Sequence, residues 1–139
     1  MSIRVVRLGT PRGRAEGLRL GTVRRHPRGV PRSQFATRDF YDVWLPELAP
    51  SAPLLSSALS GPFSASRWAR FERAYRREMT RPPAQHLIHL LAALSARTNL
   101  SIGCYCEEES TCHRLLLRQL LIEAGARVVG RGAVRDSAQ

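Results

Sequence analysis

The segment from residue 104 to residue 114 concentrates the reactive side chains of the chain. It reads Cys-Tyr-Cys-Glu-Glu-Glu-Ser-Thr-Cys-His-Arg and contains all three cysteines. A thiolate in such a segment is a nucleophile, a redox centre or a metal ligand. We predict that Cys112 lies in the first turn of a helix, where free backbone N–H groups and the positive end of the helix dipole stabilise a thiolate. Cys112 is therefore the predicted nucleophile, with His113 as its proton carrier and Cys104 as the cysteine that resolves or orients it.

Two other interpretations of this segment stay open. A non-catalytic module for zinc, or for haem iron bound through Cys or His, would draw on four soft ligands: Cys104, Cys106, Cys112 and His113. Their C-x-C-x5-C-H spacing differs from the paired C-x2-C spacing of zinc ribbons, and adjacent residues seldom both reach one ion. In the third interpretation the protein is a basic accessory protein that binds nucleic acid, and the cysteines are only small buried side chains at the end of a central strand. Residue types alone do not decide among the three.

Several common classes are excluded. The residue six positions after Cys106 is Cys112, so the segment is not a C-x5-R phosphatase loop, and the chain contains neither C-x2-C nor G-x4-G-K. An odd number of cysteines within nine residues argues against a disulfide framework. We find no apolar stretch of the roughly 18 residues that a membrane span requires and no secretion signal at the N-terminus. We therefore expect a cytoplasmic protein.

The charge of the chain is strongly positive. Its 22 basic residues are all arginines and stand against 11 acidic residues, which gives a formal net charge of +11. Ten of these arginines fall within residues 1–40, where the only acids are Glu16 and Asp39. Codon bias replaces Lys by Arg but does not create an excess of charge. Because Arg binds phosphate through paired hydrogen bonds, we expect a phosphorylated ligand or a nucleic acid as partner.

Hydrophobic periodicity predicts the strands that position these groups. Residues 3–8 and 18–23 alternate apolar and basic side chains and read as two strands joined by a turn that contains Gly and Pro. A short strand or turn is predicted over residues 41–45. A buried strand over residues 99–106 breaks into the loop that carries the cysteines, and residues 127–129 form a final strand.

Helical spacing and capping residues predict the remaining elements. In chain order these are a short helix within residues 50–66, a helix from Ser66 to Pro82, a helix from Pro83 to about Thr98, and a helix from about Cys112 to Ala124. The second helix has an apolar stripe and Ser66 as a suitable N-cap. Ser110 and Thr111 are suited to cap the last helix.

The order of these elements, β-β-α-α-β-α-β, predicts an α/β fold. We expect one domain over residues 1–139, a layered sandwich with a small, mostly parallel sheet flanked by helices. In open sheets of this kind, functional sites form at the carboxyl ends of the strands. The cysteine-bearing loop leaves a strand at such an end.

Three stretches of the chain follow one another in the order found in a known family. They read Arg24-Arg25-His26-Pro27-Arg28-Gly29, Trp44-Leu45-Pro46-Glu47-Leu48-Ala49-Pro50-Ser51, and Trp68-x2-Phe71-x3-Tyr75-x2-Glu78-Met79. These stretches resemble the YeaO-like branch of the domain of unknown function 488 family. The Cys-His-Arg run that follows Cys104 by eight residues is similar to the signature of the wider family.

The resemblance implies a single α/β domain and a set of residues to examine, although it implies no reaction. The matching positions are Arg24 or Arg25, Arg28, Glu47, Cys104, Cys112, His113 and Arg114. From these we expect an anion-binding group of arginines, namely Arg24, Arg25, Arg28 and Arg114. The leading hypothesis is a pocket in which arginines hold the phosphate of a nucleotide or nucleic acid beside an activated Cys112.

Overall fold

A parallel β-sheet forms the centre of the chain. The computed structural model describes residues 1–108 and 111–129. This part contains five strands: β1 (Ile3–Arg7), β2 (Leu18–Gly21), β3 (Val43–Trp44), β4 (Leu100–Cys104) and β5 (Val128–Val129). Their order in the sheet is β3-β2-β4-β1-β5, and every pair of neighbours runs parallel. The predicted α/β fold with a mostly parallel sheet is confirmed.

The central strand is β4, which is buried along its whole length. It pairs with β1 so that Cys104 lies opposite Arg7, and β2 pairs with its other side. The sequence predicted β1 and β2 as strands joined by a turn, and β4 lies between them in the sheet. Because all these strands run in the same direction, β1, β2 and β4 end at one edge. Cys104 is the last residue of the middle strand at that edge.

The described residues also form four α-helices: α1 (Ala52–Leu59), α2 (Ala65–Met79), α3 (Ala84–Leu94) and α4 (His113–Glu123). Short 3-10 turns cover Arg32–Gln34 and Pro46–Leu48. None of the described helices is long and apolar enough to cross a membrane. The helices thus occur where the sequence predicted them.

Three helix boundaries differ from the prediction, and one of them is the end of α3, at Leu94 instead of about Thr98. The hydroxyl of Ser64 accepts a hydrogen bond from the Arg67 N–H, so α2 begins before the predicted cap Ser66. The N-cap of α4 is Cys112. The predicted cap Ser110 lies outside the described residues.

The helices pack on one face of the sheet and form the main core. Side chains from α2, α3 and α4 meet those of β2 and β4, and the fully or almost fully buried members include Leu20, Tyr75, Leu100, Ile102, Leu116, Leu117 and Leu121. Tyr75 is completely buried, and its hydroxyl donates to the carbonyl of Leu48 at 2.7 Å. Burial of this apolar surface, at about 25 cal/mol per Å², fixes α4 against the sheet and with it the residues at its N-terminus.

Loops cover the other face of the sheet around a buried ion pair. Arg19 has no exposed surface, and its Nη2 lies 2.7 Å from Oε1 of Glu16. Its Nη1 donates to the carbonyls of Thr10 and Asp39.

The ring of Tyr41 lies against Gly21, where a Cβ atom would come within 2.4 Å of it. Only glycine therefore allows this loop to lie directly on β2.

Candidate active site

The three cysteines converge at the carboxyl end of β4. Cys104 ends that strand, Cys106 follows it in the loop, and Cys112 caps α4. Their Sγ atoms all lie within 4.8 Å of one another. The sulfurs of Cys104 and Cys112 lie 3.1 Å apart. Cys104 and Cys112 are 5% and 2% exposed, whereas Cys106 lies at the surface.

This arrangement concentrates negative charge on one sulfur. Hydrogen bonds from the Cys104 and Cys112 thiols, with the nearby positive charge of Arg114, lower the pKa of Cys106 well below its usual value. The same hydrogen bonds to Cys106, together with burial, raise the pKa of Cys104. The contact with Cys104 also raises the pKa of Cys112. These shifts favour a thiolate on the exposed sulfur of Cys106 over one on either buried sulfur.

The tautomer of His113 follows from its hydrogen bonds. Its Nε2 lies 2.7 Å from the carbonyl oxygen of Thr22, which only accepts, so Nε2 carries the proton. Burial lowers the pKa of His113, which keeps the ring neutral. Nδ1 is then an unprotonated acceptor, 3.7 Å from the Sγ of Cys112. The ring is placed to receive a proton from that thiol or to bind a metal ion.

Arg114 holds the loop that carries Cys106. Its Nη1 donates to the carbonyl of Val6 at 2.8 Å, and its Nη2 donates to the carbonyl of Cys106 at 2.6 Å. The residue is only 4% exposed. The guanidinium is thus bound to backbone oxygens at the end of β1 and in the cysteine loop. We assign it this positioning role in place of the anion contact that the sequence suggested.

Replacing Arg114 by Met should lower the free energy of unfolding by about 2 kcal/mol or more, because each buried carbonyl left without a donor costs about 1–3 kcal/mol. Urea denaturation measures this loss. Arg25 is exposed, and Arg25→Met is the matched control, with an expected change within about 0.5 kcal/mol. Equal losses in the two variants would contradict the positioning role.

The exposed side of the cysteine cluster faces a pocket of about 190 Å³. Its walls come from α1, the start of α2 and the loop between them, and the lining includes Leu55, Leu59, Phe63, Arg67, Trp68, Phe71, Cys106, Cys112 and His113. Most of these side chains are apolar. Arg67 is the cation among the lining residues, and its Nη2 donates to the carbonyl of Ser57 at 2.9 Å. The pocket therefore suits an uncharged or aromatic group with one anionic contact at its rim.

The structure separates three of the predicted anion-binding arginines from this pocket. Arg24 donates to the carbonyls of Pro50 and Ala49 and lines a different cavity, of about 280 Å³. Glu47 lines that cavity as well. The side chains of Arg25 and Arg28 are exposed on the loop after β2 and are not part of the pocket lining. The five cysteine-loop residues predicted from the sequence are brought together, but Arg28 is not beside them.

A comparison with protein families identifies the family of the chain. Residues 3–125 match the profile described as the active DUF488-N3 subclade. The chain belongs to the DUF488 family. This DUF488 match spans strands β1 to β4, the four described helices and every cysteine, and it confirms the resemblance to the DUF488 family that the sequence motifs indicated. The assignment to the YeaO-like branch stays a prediction. Neither the curated proteins nor the solved structures contain a significant match to the chain.

Sequence reasoning missed the special position of Cys106. The helix-start argument favoured Cys112, but in the DUF488 chain that residue is buried beneath the cluster. Cys106 comes two residues after Cys104, beyond the end of β4, where the chain turns outward. The C-x-C spacing could have indicated this difference. The first cysteine ends a buried strand, whereas the second lies two residues further on, in the loop, where exposure increases.

Proposed function

We propose that this protein is a thiol-dependent enzyme in which the Cys106 thiolate is the nucleophile. The observation that carries the proposal is that Cys106 presents the exposed sulfur of a three-cysteine cluster to a pocket, while its two neighbours are buried. Buried thiols that donate to a thiolate stabilise it without blocking its outer face. The family description as an active subclade supports a catalytic role.

In this proposal the sulfur of Cys106 donates an electron pair to an electrophilic centre of the bound substrate. The bond to the leaving group breaks, and its electron pair stays on that group. Water then attacks the intermediate, its hydroxide joins the second product, its proton neutralises the leaving group, and the thiolate is restored. When Cys106 is bonded to the substrate, the Cys112 thiol keeps its proton and donates its hydrogen bond to Nδ1 of His113, and Arg114 keeps the loop in place.

The proposed substrate class is a phosphorylated nucleotide or a nucleic acid. Arg67 lies at the rim of the cysteine pocket. Arg70, Arg73 and Arg77 follow it along α2 at helical spacing, and all three are exposed. The net charge of +11 attracts polyanions from a distance. These features support the proposed substrate class, and experiment must identify the bond that reacts.

Zinc binding is a second candidate because of the position of His113. In a tetrahedral site, Zn–S bonds of about 2.3 Å place sulfur atoms about 3.8 Å apart, close to the separations within this cluster. The unprotonated Nδ1 of His113 faces the sulfurs, and a backbone carbonyl holds the other nitrogen, as is common for metal-binding histidines. Haem is not favoured, because a pocket of about 190 Å³ is far too small to enclose a porphyrin.

Elemental analysis together with native thiol titration separates these two functions. The protein is purified without a metal-binding tag and reacted with a disulfide reagent at neutral pH. We expect no stoichiometric metal and one rapidly reacting thiol, which is absent in Cys106→Ser. One equivalent of zinc with slow thiols would overturn the enzyme proposal in favour of the metal site. Metal-free protein without a reactive thiol would overturn both.

A further inference from the structure

A second cavity, of about 350 Å³, lies beside the edge strand β3, away from the cysteine pocket. Its lining consists of His26, Arg32, Ser33, Phe35, Ala36, Tyr41, Asp42 and Trp44. No residue lines both this cavity and the cysteine pocket. Its volume falls within the range of about 300–1,000 Å³ that is usual for small-molecule sites. The proposed thiol chemistry does not use it.

Four rings form the apolar part of this cavity. The ring centroid of His26 lies 4.2 Å from that of Trp44 and 5.2 Å from that of Phe35. Tyr41 adds an edge contact to Phe35 at 5.2 Å. Trp44 nevertheless remains 38% exposed. Aromatic surface held open to water in a cavity fits a planar ligand that stacks on it.

Hydrogen bonds within the protein fix the orientation of these rings. Nε1 of Trp44 donates to the carbonyl of Val23 at 2.8 Å. The hydroxyl of Tyr41 lies 2.6 Å from Nδ1 of His26. The Trp44 N–H, the Tyr41 hydroxyl and Nδ1 of His26 are thus occupied, while ring surface lines the cavity. A ligand that stacks here finds a platform that is already ordered, which reduces the entropic cost of binding.

The charge around the cavity is positive. Arg32 lines it and is exposed, and it takes part in no salt bridge within the described part of the chain. The carboxylate in the lining, Asp42, is neutralised by two hydrogen bonds from Arg12, at 2.7 and 3.0 Å. The free charge beside the rings is therefore that of a guanidinium, which binds phosphate well.

We propose that this cavity binds a nucleotide, with the base stacked on Trp44 and His26 and the phosphate bound by Arg32. A planar heterocycle joined to an anion matches both features of the cavity, the exposed aromatic rings and the guanidinium beside them. The nucleotide is either free or the terminal unit of a strand, since both have the same base and phosphate. The site lies apart from Cys106, so it functions whether or not the thiol chemistry occurs.

Tryptophan fluorescence tests this proposal, because the chain contains two tryptophans that line different cavities. Trp68→Phe leaves Trp44, which reports on the aromatic cavity, and Trp44→Phe leaves Trp68, which reports on the cysteine pocket. Nucleoside 5′-monophosphates are titrated into each variant, with correction for absorption by a free tryptophan derivative. We expect saturable quenching of Trp44, and any response of Trp68 reports separately on nucleotide bound as substrate in the cysteine pocket. Quenching of Trp68 alone would overturn the proposed cavity while leaving the enzyme proposal intact.

The ligand and the phosphate contact are tested separately. Ribose 5-phosphate, which lacks a base, should not quench Trp44. Arg32→Ser should weaken nucleotide binding by about 10-fold or more, because a charge-assisted hydrogen bond contributes about 1.5–3 kcal/mol. Arg38→Ser is the matched control, since Arg38 is exposed on the same loop but does not line the cavity. Equal effects of the two variants, or quenching by the sugar phosphate, would overturn the proposal.

A short 5′-phosphorylated oligonucleotide distinguishes the two sources of the ligand. Binding at least 10-fold tighter than that of the mononucleotide indicates a strand end, because further phosphates would contact the neighbouring arginines. Equal affinity indicates a free nucleotide. Absence of Trp44 quenching by both probes would overturn the nucleotide site.

Discussion

Alkylation of Cys106 by iodoacetamide in the native protein should proceed at nearly the same rate from pH 5 to pH 8. The thiolate is the reactive form, and the pKa of Cys106 is lowered, so the sulfur stays ionised over this interval. The rate should fall only when the pH drops below that lowered pKa. An ordinary thiol, with a pKa of about 8.5, would instead react close to 1,000-fold more slowly at pH 5 than at pH 8.

The unfolded protein provides the control for this experiment. In concentrated urea the three cysteines lose their mutual hydrogen bonds, and their alkylation rates should rise about tenfold per pH unit. In native Cys106→Ser the flat reaction should disappear, because the remaining two sulfurs are buried and protonated. A native rate that rises tenfold per unit up to pH 8 would contradict the assignment of the thiolate to Cys106.

The pH profile is a sharper test than the rate itself. A thiolate of low pKa is always present but is intrinsically less nucleophilic, so the two effects partly cancel in a single rate. The pH at which the rate begins to fall depends only on the pKa of the thiol, so this cancellation does not affect it. The sulfurs of the two buried neighbours, Cys104 and Cys112, both lie within 4.8 Å of the Cys106 sulfur. Removal of either one should raise the pKa of Cys106 and move the start of the plateau to higher pH.

The sequence predicted the members of the candidate site better than their roles. Cys104, Cys112, His113 and Arg114 meet as expected, because a strand end and a helix start that flank a short loop must be neighbours. Which sulfur is exposed depends on how α4 packs against the sheet, and spacing does not contain that information. The role of Arg114 depends on carbonyls of residues distant in sequence, such as Val6.

For the fold as well, the sequence predicted the individual elements better than their arrangement. Alternation and capping predicted β1, β2, β4 and the helices, because these signals are local. The order of the strands was not predictable in this way, since β4 enters between β1 and β2 from about 80 residues further along the chain. The aromatic cavity was missed for a similar reason. Trp44 was interpreted as part of a packed turn, and its partner rings come from separate loops.

The arginines show the limit of an argument from charge. Arg19 was counted among the ten N-terminal arginines that suggested a phosphate-binding surface, yet it is completely buried and paired with Glu16. Arg114 is buried as well. Codon bias and net charge do not distinguish a structural guanidinium from a ligand-binding one. Exposed arginines without salt bridges in the described part, such as Arg28 and Arg32, remain the candidates for contact with anions.

Arg19→Met should therefore destabilise the protein severely, by about 3–5 kcal/mol, because it leaves the Glu16 carboxylate buried without its partner. Most domains have a total stability of only about 5–15 kcal/mol. The side chain also holds the carbonyls of Thr10 and Asp39, and the loop that carries Tyr41 depends on the latter. Urea denaturation at pH 7 measures the loss. A decrease below about 1 kcal/mol would contradict a structural role for the ion pair.

The double variant Glu16→Gln/Arg19→Met and the pH dependence identify the cause of the loss. Removing both charges should recover about 1–3 kcal/mol relative to Arg19→Met, because no unpaired buried carboxylate remains.

Burial alone would raise the pKa of Glu16, but hydrogen bonds from the Gly13 N–H and from Arg19 lower it. The ion pair thus stabilises the folded protein above about pH 4.5 and is lost as the pH falls further. In Arg19→Met, burial raises this pKa instead, so protonation relieves the variant while it weakens the natural protein. The difference in stability between the two should therefore shrink from pH 6 to pH 3, and a difference that stays constant would show that the loss comes from packing and not from charge.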